Sequence, residues 1–332
     1  MSLEKRRGNC ELMAENCRFI QQVARTPLVP VELSPGAGSV WCKLDFLNPS
    51  GSTKDRIARY ILEKQWRAGR LHSGDGVIEA SSGSTSIAFA LACAQMGLKF
   101  TAVMPESVSN ERVLIIQSYG GRIILTPREE GMPGAVSRAA REAKKEGWYY
   151  PRQFENEDNA EAHRVSTGQE ILSQIPGGVV HGLVSGVGTG GTIVGLYHAF
   201  RDAGCPVTPF LARPIQGKHQ FEVECCSFSS RVPGVLNNLS KLFSSAKLEG
   251  LVEVDVNDGI ALDITRRLIG HGFPVGPSSG LNFAAAVEAL RQLGAGAQVV
   301  TVFPDRMERY FSTELFTDWQ FSSTGLVHEV AV

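Results

Sequence analysis

Val179-Val180-His181-Gly182-Leu183-Val184, running straight into Ser185-Gly186-Val187-Gly188-Thr189-Gly190-Gly191-Thr192, is the stretch on which the reading of this chain turns. The first part is apolar enough for a buried strand, and residues 192–201 carry a helical period. The glycines between them let the backbone bend sharply and approach a ligand with no Cβ in the way. A strand passing through such a turn into a helix offers backbone N–H groups and hydroxyls at a helix N-terminus, an arrangement suited to a phosphate. Gly186, Gly188 and Gly191 also satisfy GxGxxG, so a dinucleotide site stays open. The acidic residue expected after the next strand is missing, and Arg213 stands there instead, where it would meet a 2′-phosphate. A glycine loop taken alone is also what any tight strand-to-helix turn looks like.

Outward from this loop, strand-like and helix-like segments alternate. Strands are predicted over 76–79, 100–104, 122–125, 207–211 and 299–303. Helices are predicted over 85–96, 110–119, 135–145, 160–172, 259–269 and 280–292. Such alternation implies an α/β fold with parallel sheets covered by helices, and 332 residues suffice for two lobes. The polar run Gln153-Phe154-Glu155-Asn156-Glu157-Asp158-Asn159 is the best crossing point between them, and residues 221–245 form an irregular, serine-rich region.

Two more segments bear on chemistry. Glu79-Ala80-Ser81-Ser82-Gly83-Ser84-Thr85 is a second turn from strand into helix, with hydroxyls and N–H groups but no lysine, which suits a carboxylate or a plain N-cap. Asn48-Pro49-Ser50-Gly51-Ser52-Thr53-Lys54-Asp55-Arg56 carries the candidate reactive amine, Lys54, although a lysine by itself is more often a solvated one. Together the three segments describe a carboxylate, an amine and a phosphate gathered in one cleft.

Bulk properties narrow the classes. With 33 basic and 34 acidic residues and a net charge of -1, the chain shows no electrostatic grip on nucleic acid or on an anionic membrane. Its apolar runs are too short to span a bilayer, and the charged opening predicts no secretory signal. Seven scattered cysteines and seven dispersed histidines form neither a disulfide framework nor a metal-ligand cluster, so reduced thiols, a cytoplasmic setting and no metal are expected.

The chain resembles the cysteine synthase and cystathionine β-synthase branch of fold-type II pyridoxal-phosphate enzymes. The resemblance runs from about Thr26-Pro27-Leu28-Val29 to Phe311-Ser312-Thr313. It rests on motifs in order: Asn48 through Arg56, the 81–85 loop, Gln153-Phe154, residues 186–192, Gly276-Pro277-Ser278-Ser279-Gly280 and Glu308-Arg309-Tyr310. It implies pyridoxal 5′-phosphate as cofactor, small amino-acid substrates and a homodimer. It also implies a larger phosphate-binding lobe of residues 1–45 and 157–332, and a smaller mobile lobe of 46–156, with the active site between them. Residues 1–22 are then a candidate arm across the partner, or a helix on the chain's own core.

Residue by residue, the resemblance implies that Lys54 forms the imine with the cofactor and then acts as base at the substrate α-carbon. Gly188, Thr189, Gly190, Gly191 and Thr192 would bind the phosphate and Ser278 the pyridine nitrogen, Ser278 being also a candidate N-cap. Ser81, Ser82, Gly83, Ser84, Thr85 and Gln153 would hold the substrate carboxylate, with Ser84 also beside the cofactor ring. The implied reaction is β-replacement on an O-activated L-serine through an aminoacrylate, with sulfide as nucleophile and cysteine as product. Typical cysteine synthases have Asn where this chain has Ser84, and the form Glu79 through Thr85 looks like that of some bacterial cysteine desulfhydrases, which run β-elimination. Ser230-Arg231-Val232-Pro233-Gly234-Val235-Leu236 and Phe303-Pro304-Asp305-Arg306 look more like synthases that join phosphoserine to an amino acid amine to make 2,3-diaminopropionate precursors. Sulfide replacement ranks first, elimination second and amine replacement third. An NADP-dependent dehydrogenase using Gly186, Gly188, Gly191 and Arg213, or an inactive amino-acid sensor, stands outside the family reading.

Overall fold

The computed structural model describes residue 23 and residues 25–33, 36, 38–215, 240–294 and 296–317. The candidate arm, residues 230–236, most of the region over 221–245, and Cys10, Cys17, Cys225 and Cys226 lie outside the described residues. The described chain is organised on two sheets. The larger runs, edge to edge, β1 (Leu28–Val31), β2 (Val40–Lys43), β9 (Val299–Val302), β6 (Gly182–Ser185), β7 (Thr208–Ile215) and β8 (Val252–Asn257). Only β1 and β2 pair antiparallel; the remaining neighbours are parallel. The smaller sheet is β3 (Gly76–Ala80), β4 (Lys99–Pro105) and β5 (Arg122–Thr126), all parallel.

Helix α1 (Lys54–Arg67) shows how local sequence places the candidate amine. Ile57, Ala58, Ile61, Leu62 and Gln65 are buried at a 3.6-residue period. Lys54 opens that same stripe, which is why a lysine at the first helical position points inward. The stripe joins a core with Ile87, Phe89 and Cys93 of α2 (Ser84–Met96), and each large apolar side chain buried there contributes about 1.5–3 kcal/mol. Helices α3 (Asn110–Ser118) and α4 (Gly131–Glu146) complete the cover of the smaller sheet. Across the larger sheet lie α7 (Gly191–Asp202), with the short α8 (Lys241–Ser245) packed on it, α9 (Asp258–Gly270) and α10 (Pro277–Leu293). Among the described residues no helix is long and apolar enough to cross a membrane.

Several predicted boundaries move. The helix predicted over 160–172 is broken into α5 (Asp158–Ala162), a π-helical turn at His163–Thr167, and α6 (Gly168–Gln174). A single wide turn hardly disturbs the apolar period, so nothing in the pattern announces it. Helix α10 starts at Pro277 with Gly276 as its N-cap, which puts Ser278 inside the first turn rather than at the cap. Strands β1, β2 and β8 and helix α1 were not predicted. Pro30 obscures β1, whose place at the edge of the sheet tolerates it, and β8 is a half-exposed edge strand with charged residues between its valines.

Candidate active site

Strand β6 ends at Ser185, and the chain turns through Gly186, Val187, Gly188, Thr189 and Gly190 into α7. The first turn of a helix leaves N–H groups without intrahelical partners, and here they open where parallel strands end, the usual ligand position in such sheets. Gly190 has φ of +79°, a left-handed backbone that favours glycine. Gly191 is pressed against Asn159, whose side-chain amide occupies the space a Cβ would need. Asn159 Nδ2 donates to Thr189 Oγ1 at 3.0 Å and to the Gln153 carbonyl at 2.8 Å, tying the loop to the Gln153 segment. Asn282, from α10, accepts from Gly186 N–H at 2.7 Å and donates to the Val302 carbonyl at 2.9 Å.

Facing this loop, the Lys54 turn docks on the end of β9. Thr53 N–H donates to the Pro304 carbonyl at 2.7 Å, Ser52 bridges Asp305, and Arg309 donates to the Gly51 carbonyl at 2.7 Å. Lys54, the 185–190 loop, Thr192, Ser278 and Asn282 thus line one cleft. Ser278 Oγ is buried on its wall with no hydrogen-bond partner within the protein. A buried hydroxyl in that state costs free energy unless a ligand satisfies it. A phosphate at the helix terminus, an amine-reactive group at Lys54 and a ring acceptor at Ser278 therefore fit the residues present.

The serine-rich turn and Gln153 are not among the residues lining this cleft; they connect to its glycine loop through Asn159, and the turn is differently engaged. Ser81 Oγ accepts from the N–H groups of Gly83 and Ser86, at 2.9 and 3.2 Å, and so caps α2 from within the turn. Thr85 Oγ1 donates to Gln153 Oε1 at 2.6 Å, and Gln153 Nε2 donates to the Ala80 carbonyl at 2.5 Å. The Ser82 carbonyl accepts from Arg112 at 3.4 Å. Ser84 Oγ is buried and has no hydrogen-bond partner, like Ser278.

Besides Asn159, three contributors escaped the sequence reading. Asp45 is fully buried and accepts from Thr26 and Thr53 hydroxyls, each at 2.8 Å, and from Arg56 Nε and Nη2 at 2.9 and 2.8 Å. Burial alone would raise its carboxyl, but the Arg56 charge and hydrogen bonds outweigh that and hold it well below the usual carboxylate range. Arg56 also pairs with Glu170 at 2.6 Å, which pairs with Lys43 at 2.8 Å. This hub clamps the residues on either side of Lys54. His163, set by the π turn, is buried, and burial pushes its imidazole down to about 3. The neutral ring lies 3.3 Å from Thr192 Oγ1 and 2.9 Å from Thr167 Oγ1. Asn282 had a legible signal, a lone amide within the apolar run Leu281 to Ala286.

Residues 20–305 match the family described as pyridoxal-phosphate dependent enzyme. The chain belongs to that family. It is 35% identical over 309 residues to a cysteine synthase of Staphylococcus aureus, covering 90% of this chain and 96% of the relative. The crystal structure of an O-ureido-L-serine synthase superposes with a TM-score of 0.79 at 32% identity, covering 92% of this chain and 96% of the other. A hydrogen sulfide-producing enzyme from Fusobacterium nucleatum gives 0.79 at 32% identity, with 91% and 92% covered. The protein is therefore a fold-type II pyridoxal-phosphate enzyme of the cysteine synthase type, acting by β-replacement or β-elimination. The dehydrogenase alternative falls with this result. Arg213, on which it leaned, is ion-paired with Asp255 at 2.6 Å and Glu253 at 2.7 Å.

Proposed function

We propose that the chain replaces the β-substituent of an O-activated L-serine with sulfide, giving cysteine. The observation that carries the reading is the convergence of Lys54, the glycine loop and the unsatisfied Ser278 hydroxyl on one cleft. When bound, pyridoxal 5′-phosphate supplies an aldehyde that condenses with amines and a ring that takes up electrons from the substrate α-carbon. Gly188, Thr189, Gly190, Gly191 and Thr192 hold its phosphate. Thr192 Oγ1 is oriented for this by neutral His163. Ser278 meets the ring nitrogen with a hydroxyl, which brings no charge to hold a pyridinium. A hydroxyl at Ser278 in place of a carboxylate would keep the bound group a modest electron acceptor and so favour departure of a β-substituent. Lys54 Nζ takes the proton from the substrate α-carbon and returns it when the new bond has formed.

Thr85, Gln153 and the 81–84 turn hold the substrate carboxylate, and residues 46–156 move as the smaller lobe over it. Ser84 supports a second reading. A serine there is shorter than the asparagine of typical cysteine synthases, leaving the side of the cleft where substrate and cofactor ring meet less filled. Elimination of cysteine to pyruvate, ammonia and sulfide then competes with replacement. The test is a visible absorbance spectrum of the purified protein, titrated in turn with O-acetylserine, phosphoserine and cysteine. A band that shifts with O-acetylserine, with cysteine formed on adding sulfide, supports the first reading. A shift with cysteine alone and release of sulfide supports the second, and a protein that takes up no pyridoxal phosphate refutes both.

A further inference from the structure

Glu79 is a carboxylic acid with no exposed surface, on β3 immediately before the serine-rich turn. Its Oε1 accepts from Ala80 N–H at 2.8 Å and its Oε2 from Gln153 N–H at 3.2 Å. The Arg152 N–H bears on the same carboxyl group. Arg152 has φ of +56°, a left-handed backbone rare outside glycine and sustained only where surrounding structure compels it. That conformation turns two consecutive N–H groups onto one carboxyl, an anion-holding nest formed inside the protein. Gln153 is consequently held at every polar group: its N–H by Glu79, its side chain by Thr85 and the Ala80 carbonyl, and its carbonyl by Asn159.

We propose that Glu79 is a positioning residue that fixes Gln153 from behind and so sets how tightly the cleft holds the carboxylate of an amino-acid substrate. The inference rests on the reading of Gln153 as a carboxylate-binding residue. Burial pushes the Glu79 carboxyl up to about 8, against the pull of the Ala80, Gln153 and Arg152 N–H groups and the Arg152 charge. The other titratable groups facing it are the Tyr149 and Tyr150 phenols, both pushed up, chiefly by burial and in part by Glu79 itself. Across the sheet, β4 opposes it with Ala102, which has no charge. Ionisation of Glu79 therefore places a buried negative charge behind the site of an anionic group and weakens its binding.

The holoenzyme tests this with L-alanine, which has the carboxylate and amine but no leaving group, titrated by the change in cofactor absorbance. Between about pH 7 and about pH 9 the wild type is expected to lose about three- to tenfold more affinity than Glu79→Gln, whose neutral amide cannot ionise. Parallel pH profiles for the two proteins overturn the proposal. On the wild type alone, with each affinity expressed per unprotonated ligand amine, L-alaninamide, which lacks the anionic carboxylate, should escape the loss seen with L-alanine; equal losses also overturn it. Cofactor affinity, read by dialysis, should stay within about twofold, because the phosphate is held elsewhere. Gln153→Ala separates the two readings. If it leaves L-alanine affinity unchanged, the carboxylate reading fails and this proposal with it. If it weakens binding while Glu79→Gln tracks the wild type, the role of Glu79 alone fails.

Discussion

Replacing Gly191 with alanine tests how the glycine loop is held. The Cβ would fall inside contact distance of three atoms of the Asn159 side chain. Asn159 cannot swing away freely, since its Nδ2 is donated to both the Gln153 carbonyl and Thr189 Oγ1. Losing those two bonds costs about 1 kcal/mol each, and overpacking adds about 1–3 kcal/mol. Alanine in place of glycine in a helix returns about 1 kcal/mol. The net destabilisation is about 2–4 kcal/mol, read from urea unfolding followed by circular dichroism. Asn159→Ala alone loses the same two bonds but leaves room for the new methyl group. The double variant should therefore be no less stable than Asn159→Ala, within about 0.5 kcal/mol. A Gly191→Ala protein as stable as the wild type, or a double variant showing the two losses added in full, would refute the reasoning.

Lys54→Ala should abolish turnover and the lysine-dependent visible band of bound pyridoxal phosphate while the protein unfolds at a similar urea concentration, because alanine suits the start of α1; undiminished activity would sink the assignment. Asp45→Asn breaks a buried ion pair and should cost about 3–5 kcal/mol at neutral pH. Because the folded-state pKa of Asp45 is depressed, its contribution is fully present above the unfolded value of about 4 and is lost as pH falls through the folded value. The stability gap to Asp45→Asn should therefore narrow below about pH 4, and a gap constant with pH contradicts the assignment. Ser84→Asn should raise replacement relative to elimination, measured as cysteine formed against sulfide released, and an unchanged ratio removes Ser84 as the cause.

The glycine loop, the serine-rich turn and the Lys54 segment were legible because each is a local device. A strand, a bend that excludes side chains and a helix start are contiguous in sequence, and residue type there reports backbone geometry directly. The alternation of strand and helix likewise announced parallel α/β architecture, since its periods come from neighbouring residues. The same locality explains what was missed. Asp45 looks like any aspartate until Arg56, Thr26 and Thr53 close around it, and Asn159 and Asn282 acquire their roles only from partners brought together across the fold.

The sequence by itself determined the fold class and set out a candidate amine and two turns from strand into helix, because residue type and short spacing encode them, and its ordered motifs carried the resemblance to the chemical family. Tertiary structure decided that Lys54 and Ser278 share a cleft, that Ser81 caps its own helix, and that Glu79 is gripped by the Arg152 and Gln153 backbone. Burial and the pairing of distant groups decide these, and both depend on how the whole chain excludes water, which no short stretch of it records.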